Sequence, residues 1–127
     1  MIAGFDWYAT FAAAAQASVP KDRTLDAVNV LPMLTGKSTE PAHETLWFFE
    51  GYRLVSLRSE NWKYVCARGE GAPELYDLSQ DLAEQHNVAV KNPTVLARME
   101  QLLEQGRKAL GDGKLVPADR RPADKVQ

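Results

Sequence analysis

The sequence has little of what several functional classes require. Its single cysteine, Cys66, can form neither an intramolecular disulfide nor a thiolate-rich zinc site. Its two histidines do not fall in an HExxH or similar ligand spacing, which excludes a histidine-rich metal site. Lys and Arg number 15 against 17 for Asp and Glu, so electrostatic binding to nucleic acid or to anionic membranes is excluded as the main activity.

The chain also has no apolar run near the roughly 18 residues of a membrane helix. Residues 15–17 read AQA and resemble a signal-peptidase site, but no Lys or Arg precedes Lys21. Asp6 lies where a signal peptide carries positive charge. We therefore expect an Ala-rich helix rather than a signal peptide, and a cytoplasmic location if the chain is expressed as it stands.

The 127 residues suffice for one modest domain with a real core. Asp6 is a plausible N-cap, and apolar residues at helical spacing predict a helix to about Ala17. A second short helix is expected from Asn29, with Gly36 as its C-terminal stop.

After Glu44 the spacing of apolar residues changes from the helical repeat to the two-residue alternation of strands. Aromatic and alternating segments predict four strands, at residues 46–49, 53–58, 62–66 and 74–78. Short turns join them, which is typical of an antiparallel meander. On the third strand Trp62, Tyr64 and Cys66 share one face.

The clearest helix follows, over residues 92–110. Asn92 caps it, Pro93 takes the first helical position and Gly111 ends it. Its apolar stripe consists of Leu96, Met99, Leu102, Leu103 and Leu110. The sequence therefore predicts an α+β fold, with a small antiparallel sheet of about four strands, a long C-terminal helix and a disordered tail at 112–127.

Residue chemistry alone identifies no catalytic or metal site. Cys66 lies in mid-strand with no base beside it, so we interpret it as a small buried hydrophobe. The acidic residues Asp77, Asp81 and Glu84 lack a calcium-loop pattern and suit turns and caps.

Five segments, in order, resemble the late part of the sulfatase family. Residues 6–13 (DWYATFAA) are similar to that family's D-x-x-P-T-x-x-x-L-A-G helix. Residues 20–37 (PKDRTLDAVNVLPMLTGK) resemble P-x-D-R-x-L-D-G-V-x-L-L-P-L-L-T-G-K. Residues 44–49 (ETLWFF) resemble the strand after that loop, and residues 57–64 (LRSENWKY) resemble V-R-x-G-x-W-K-y. Residues 74–89 (ELYDLSQDLAEQHNVA), the most specific segment, resemble E-L-Y-D-L-x-x-D-P-x-E-x-x-N-L-A.

The resemblance implies the C-terminal portion of an arylsulfatase-type enzyme of the alkaline phosphatase-like superfamily. Residues 1–37 would be terminal helices of an otherwise missing α/β catalytic domain, and 38–111 the C-terminal sheet subdomain. Three positions depart from the family pattern: Ala27 replaces a turn glycine, Leu82 a proline, and Gln16 a glycine after the Ala-rich helix.

The resemblance also implies calcium and a formylglycine nucleophile, made from the Cys or Ser of a C/S-x-P-x-R motif. That motif has no match here; Ser18-Val19-Pro20-Lys21-Asp22 has Asp22 in place of the required Arg. No catalytic residue, metal ligand or cofactor of the family transfers to this chain.

Two functions follow as hypotheses. The first is a C-terminal fragment of a sulfuric ester hydrolase, inactive alone and partnered by the missing catalytic domain or by itself, through an exposed helix face around Trp7, Phe11 and Leu31. The second is a free-standing, non-catalytic binding module. In a complete enzyme that acts on a sulfated carbohydrate or an aryl sulfate, loop and cationic residues suit substrate contacts. The candidates are His43, Tyr52, Arg53 and Arg58.

Overall fold

The computed structural model describes residues 1–22, 25–67 and 69–113. Contacts within the chain group it into two compact units, Met1–Leu46 and Trp47–Gln127. Most of the predicted tail lies outside the described residues, which end at Gly113.

The first unit contains two helices, α1 (Asp6–Ala14) and α2 (Leu31–Leu34). Helix α1 ends three residues before the predicted Ala17, because Gln16 adopts a left-handed backbone with φ of 56°. The amides of Gln16 and Ala17 bond to the carbonyls of Ala13 and Ala12, at 3.1 and 2.8 Å. This is a Schellman ending, whose left-handed position favours glycine, the residue that Gln16 replaces in the family pattern. Ala27, by contrast, has no positive φ, so the loss of glycine there causes no backbone strain.

A buried carboxylate organises this unit. Asp6 is fully buried, and it accepts hydrogen bonds from the Ala3 and Val28 amides at 2.7 and 2.9 Å. His43 Nε2 lies 2.9 Å from both carboxylate oxygens. Asp6 is thus the first residue of α1 and not its N-cap, which is Phe5. Burial raises the pKa of Asp6, but the bonds from Ala3, Val28 and His43 outweigh it and hold the pKa below its ordinary value of 3.8.

Thr10 extends the same network by one helical turn. Its hydroxyl donates to the Asp6 carbonyl at 2.7 Å and accepts the Val30 amide at 3.0 Å. Side chains of α1 therefore satisfy the backbone donors of the segment that leads into α2, where Val30 is completely buried.

The sheet has four strands in the order β1-β2-β3-β4: β1 (Thr45–Glu50), β2 (Arg53–Ser59), β3 (Trp62–Val65) and β4 (Glu74–Asp77). Register pairs such as Leu57 with Tyr64, and Tyr64 with Leu75, run antiparallel. Helix α3 (Pro93–Leu110) follows and packs on β2. The predicted α+β fold is confirmed.

The core of the second unit lies between α3 and the sheet. Leu57, Leu75 and Met99 are completely buried, and Leu103 nearly so. Trp62, Tyr64 and Cys66 all belong to or pack against this cluster, as their predicted common face requires. The predicted helix stripe is confirmed apart from Leu110, which is exposed at the end of α3.

Gly106 is a core position that the apolar pattern misses. A Cβ there would lie 2.3 Å from Nε1 of Trp47. The indole of Trp47 therefore packs directly against the α3 backbone, with its Nε1 3.4 Å from the Leu102 carbonyl. Only glycine permits this approach.

We expect Gly106→Ala to destabilise the second unit. Alanine normally stabilises a helix relative to glycine by about 1 kcal/mol, but here the Trp47 ring must move, at a net cost of about 1–3 kcal/mol. Urea unfolding followed by tryptophan fluorescence measures the change. Gln105→Ala, an exposed neighbour on α3, is the control and should stay within about 0.5 kcal/mol of the original chain. Unchanged stability of Gly106→Ala would show that the contact imposes no constraint.

We also expect Asp6→Asn to loosen the first unit in a pH-dependent way. Because the folded pKa of Asp6 is lowered, the carboxylate stabilises the fold fully above the unfolded pKa, near 3.8, and this stabilisation is lost as pH falls through the folded pKa. Amide exchange of Val28, measured by NMR from pH 6 downward, should be faster in the variant at pH 6. The two chains should converge as the pH falls through the folded pKa of Asp6, which lies below its ordinary value of 3.8. A difference that persists unchanged at low pH would contradict this assignment.

Candidate functional site

A cleft of about 520 Å³ lies in the second unit. The start of β2 forms one wall, with Arg53, Leu54 and Val55. Cys66 and Ala67, just after β3, form a second. The last turns of α3 form a third, with Leu103 and Arg107. Glu50, Tyr64, Gly69 and Asp112 complete the lining.

The cleft lies where β3 ends opposite the first residues of β2. The paired register of the two strands ends at Ser56 and Val65, and the Cys66 amide donates to the Val55 carbonyl at 2.8 Å. Beyond this bond, two residues that follow α3 form hydrogen bonds with backbone groups at and just before the start of β2. Asp112 Oδ1 accepts the Leu54 amide at 2.9 Å, and the Gly113 amide donates to the Tyr52 carbonyl at 2.6 Å.

Arg107 and Asp112 connect the end of α3 to the start of β2. Arg107 Nε donates to Asp112 Oδ2 at 2.8 Å, and its Nη1 bonds Glu104. Burial lowers the pKa of Arg107, but the bonds and charges of Glu104 and Asp112 outweigh it and raise the pKa, so the guanidinium stays charged. Asp112 and Gly113, the first residues of the predicted tail, are thus bonded to the sheet.

Two charged groups on the rim remain free. Among the described residues neither Arg53 nor Glu50 has an ion-pair partner, and both are exposed. Among the described lining residues, Arg107 and Asp112 in the walls are hydrogen-bonded, while the Arg53 guanidinium and the Glu50 carboxylate at the rim are exposed to solvent.

The Cys66 thiol inside the cleft is not activated. It is half-buried, and its Sγ donates to the Leu54 carbonyl at 3.5 Å. Burial raises its pKa, and the opposing effects of Arg107 and Arg53 do not reverse this. Burial also raises the pKa of Tyr64 to about 12. Both groups are protonated at neutral pH, which suits a binding wall rather than a nucleophile.

The predicted site residues do not all come together. Arg53 lines the cleft, and Tyr52 beside it is 87% exposed. Arg58 is absent from the lining and donates from Nε to the Glu60 carbonyl at 3.5 Å. His43 belongs to the first unit and bonds Asp6.

Three polar residues of the cleft, Glu50, Arg107 and Asp112, were missed by sequence reasoning. The sequence assigned no role to Arg107, and Asp112 was predicted to belong to a disordered tail. The spacing of an Arg in the last helical turn and an Asp just past the terminal glycine is the only signal, and it is weak.

The described residues contain no group of three or more His, Cys, Asp or Glu side chains that could hold a metal. Asp77 and Asp81 serve as the predicted turn residues, accepting the amides of Ser79 and His86 at 3.0 and 2.8 Å. The residues that the structure describes thus do not fit the calcium implied by the resemblance. None of the helices within this part of the chain is long and apolar enough to cross a bilayer.

Comparison with curated proteins finds sulfatases. The chain is 29% identical over 112 residues to N-acetylgalactosamine-6-O-sulfatase of Bacteroides thetaiotaomicron, covering 78% of this chain and 22% of that protein. It is 32% identical over 102 residues to human arylsulfatase K, covering 68% and 19%. The chain thus spans about a fifth of the length of these relatives. No family model matches the chain.

Solved structures share the fold. A putative sulfatase from Bacteroides thetaiotaomicron has a TM-score of 0.67 at 22% identity, over 90% of this chain and 27% of that one. A protein solved in complex with its substrate, D-glucosamine-2-N,6-O-disulfate, has a TM-score of 0.60 at 22% identity, over 81% and 23%. Together with the curated relatives, they identify the chain as a homologue of the sulfatases that matches a C-terminal portion of such a protein.

Proposed function

We propose that the chain is the non-catalytic C-terminal part of a sulfuric ester hydrolase, and that hydrolysis depends on the other four fifths of such a protein, in the same polypeptide or another. The coverage of only 22% and 19% of the two curated relatives carries this proposal. The lack of any C/S-x-P-x-R match in the sequence supports it.

Sulfate ester hydrolysis requires an activated nucleophile, neutralisation of the sulfate oxygens and an acid for the leaving group. The one thiol of the chain, Cys66, is protonated and hydrogen-bonded to a carbonyl. The described residues therefore offer a framework and binding surfaces, and we assign the bond-breaking step to the catalytic part.

The first unit has the surface expected of a part that packs against a larger one. On α1, Trp7 and Tyr8 are exposed, and Phe11 is 65% exposed. The rings of Trp7 and Phe11 stack at 5.5 Å. Four further large apolar side chains of the same unit are exposed: Ile2, Phe5, Val28 and Leu34. Leu31, which was predicted to be exposed, is half-buried. We propose that the α/β catalytic part covers this surface.

We propose a sulfated carbohydrate as the substrate of the complete enzyme. One relative is named for a sulfated amino sugar, and one structural neighbour was solved with a disulfated glucosamine. Tyr52 and Arg53, at the mouth of the cleft, are the contacts we propose for this chain. The substrate contacts of His43 and Arg58 stay predictions.

The purified chain should not hydrolyse an aryl sulfate. Release of 4-nitrophenol from 4-nitrophenyl sulfate, followed with and without added calcium, should match a buffer control, because the chain supplies no activated nucleophile. Hydrolysis that depends on metal and scales with chain concentration would overturn the proposal. A protein purified in parallel with Cys66→Ser controls for a contaminating sulfatase, since such activity would survive the substitution.

The exposed apolar surface of the first unit should make the isolated chain bind a hydrophobic dye and self-associate at micromolar concentration. Phe11→Ser should reduce both, as measured by dye fluorescence and sedimentation velocity. Val90→Ser, which removes a 96% exposed apolar side chain from the second unit, is the matched control and should change neither. A sharp, reversible monomeric melt of the original chain without dye binding would favour the free-standing binding module.

A further inference from the structure

We propose that the cleft of the second unit binds one monosaccharide unit that carries an anionic group. In this arrangement Arg53 takes the oxyanion and Glu50 accepts the sugar hydroxyls. The proposal rests on the substrate contact proposed above for Arg53, and its test measures binding to the chain without hydrolysis.

The size of the cleft suits such a ligand. A volume of about 520 Å³ lies within the roughly 300–1,000 Å³ of small-molecule sites. Its wall is fixed before a ligand arrives, because Asp112 is bonded to both the Leu54 amide and Arg107. A wall fixed in this way lowers the entropic cost of binding.

The charges on the rim select the chemical class. Glu104 and Asp112 already satisfy Arg107, so it adds little attraction for an anion. Arg53 has no such partner among the described residues, and a guanidinium binds oxyanions through paired hydrogen bonds. Glu50 would repel a plain anion but accepts hydroxyl donors. A molecule with one oxyanion and several hydroxyls satisfies both residues.

The inner lining closes the base of the cleft. Leu54, Leu103 and Tyr64 line it and are each at least 95% buried, so the contacts open to a ligand lie at the rim. The Cys66 thiol lies in the same lining and, as the only cysteine of the chain, reports on occupancy.

The test combines calorimetry with the rate at which Ellman's reagent modifies Cys66. Glucosamine 6-sulfate should bind and slow the modification several-fold. Arg53→Gln should weaken binding by on the order of tenfold to a hundredfold, the loss expected for hydrogen bonds to a charged group. The affinity of Arg53→Lys for this sugar should lie between those of the original chain and of Arg53→Gln. Arg98→Gln, which changes an exposed arginine of α3 that does not line the cleft, is the matched control and should bind as the original chain does.

Four probes separate the possible ligands. Glucosamine 6-sulfate and glucuronic acid distinguish a sulfate from a carboxylate on the sugar, and protection by either supports the proposal. If neutral N-acetylglucosamine protected Cys66 from modification as well as the two charged sugars do, the role of Arg53 would be overturned. Equal protection by inorganic sulfate would show a site for a bare anion and overturn the saccharide assignment. No protection by any probe at millimolar concentration, or binding unchanged in Arg53→Gln, would overturn the proposal, whatever the hydrolysis assay shows.

Discussion

The packing of α3 on the sheet is the interaction on which the rest of the second unit depends. Met99 and Leu103 fill the space against Leu57 and Leu75, and Gly106 lets the Trp47 ring lie on the helix backbone. In the last turn of α3, next to this contact, Arg107 bonds Asp112, and Asp112 accepts the Leu54 amide. The close approach at Gly106 therefore lies beside the bonds that form one wall of the cleft.

The first unit is organised by buried polar side chains rather than by a large apolar core. Its backbone donors are satisfied by two polar side chains of α1, the Asp6 carboxylate and the Thr10 hydroxyl. An ionised group stays buried only when its hydrogen bonds offset the loss of water, and His43 supplies a further donor. The interior of this unit thus combines two hydrogen-bonded polar side chains with Ala9 and Val30, while large apolar side chains such as Phe11 are exposed.

Sequence reasoning predicted the elements well, because each carries a clear periodic signal. The apolar stripe of α3 places the same side chains in the core as the structure does, apart from Leu110. The strand at residues 53–58 was predicted correctly, but its core face was not, because Leu54 and Leu57, rather than Val55 and Leu57, join the core. The shorter α1 was missed, because a left-handed Gln16 has no signature of its own. The cleft was missed too, except for Arg53. It depends on long-range bonds from Asp112 to β2, and no local pattern encodes a contact between residues 58 positions apart.

The surface of α1 in the first unit and the cleft of the second unit expose different groups. In the first, the buried polar groups are hydrogen-bonded and aromatic rings lie on the surface of α1, which suits a large apolar partner. In the second, α3 and the sheet enclose the apolar core, and Arg53 and Glu50 lie exposed at the mouth of a preformed cleft. A surface of that kind discriminates small polar ligands, because a ligand that lacks the matching oxyanion or hydroxyl leaves a charged group without compensation. The exposed aromatic rings of the first unit and the exposed charges at the cleft of the second therefore suit the two proposals made above, packing against a larger part and binding of a small polar ligand.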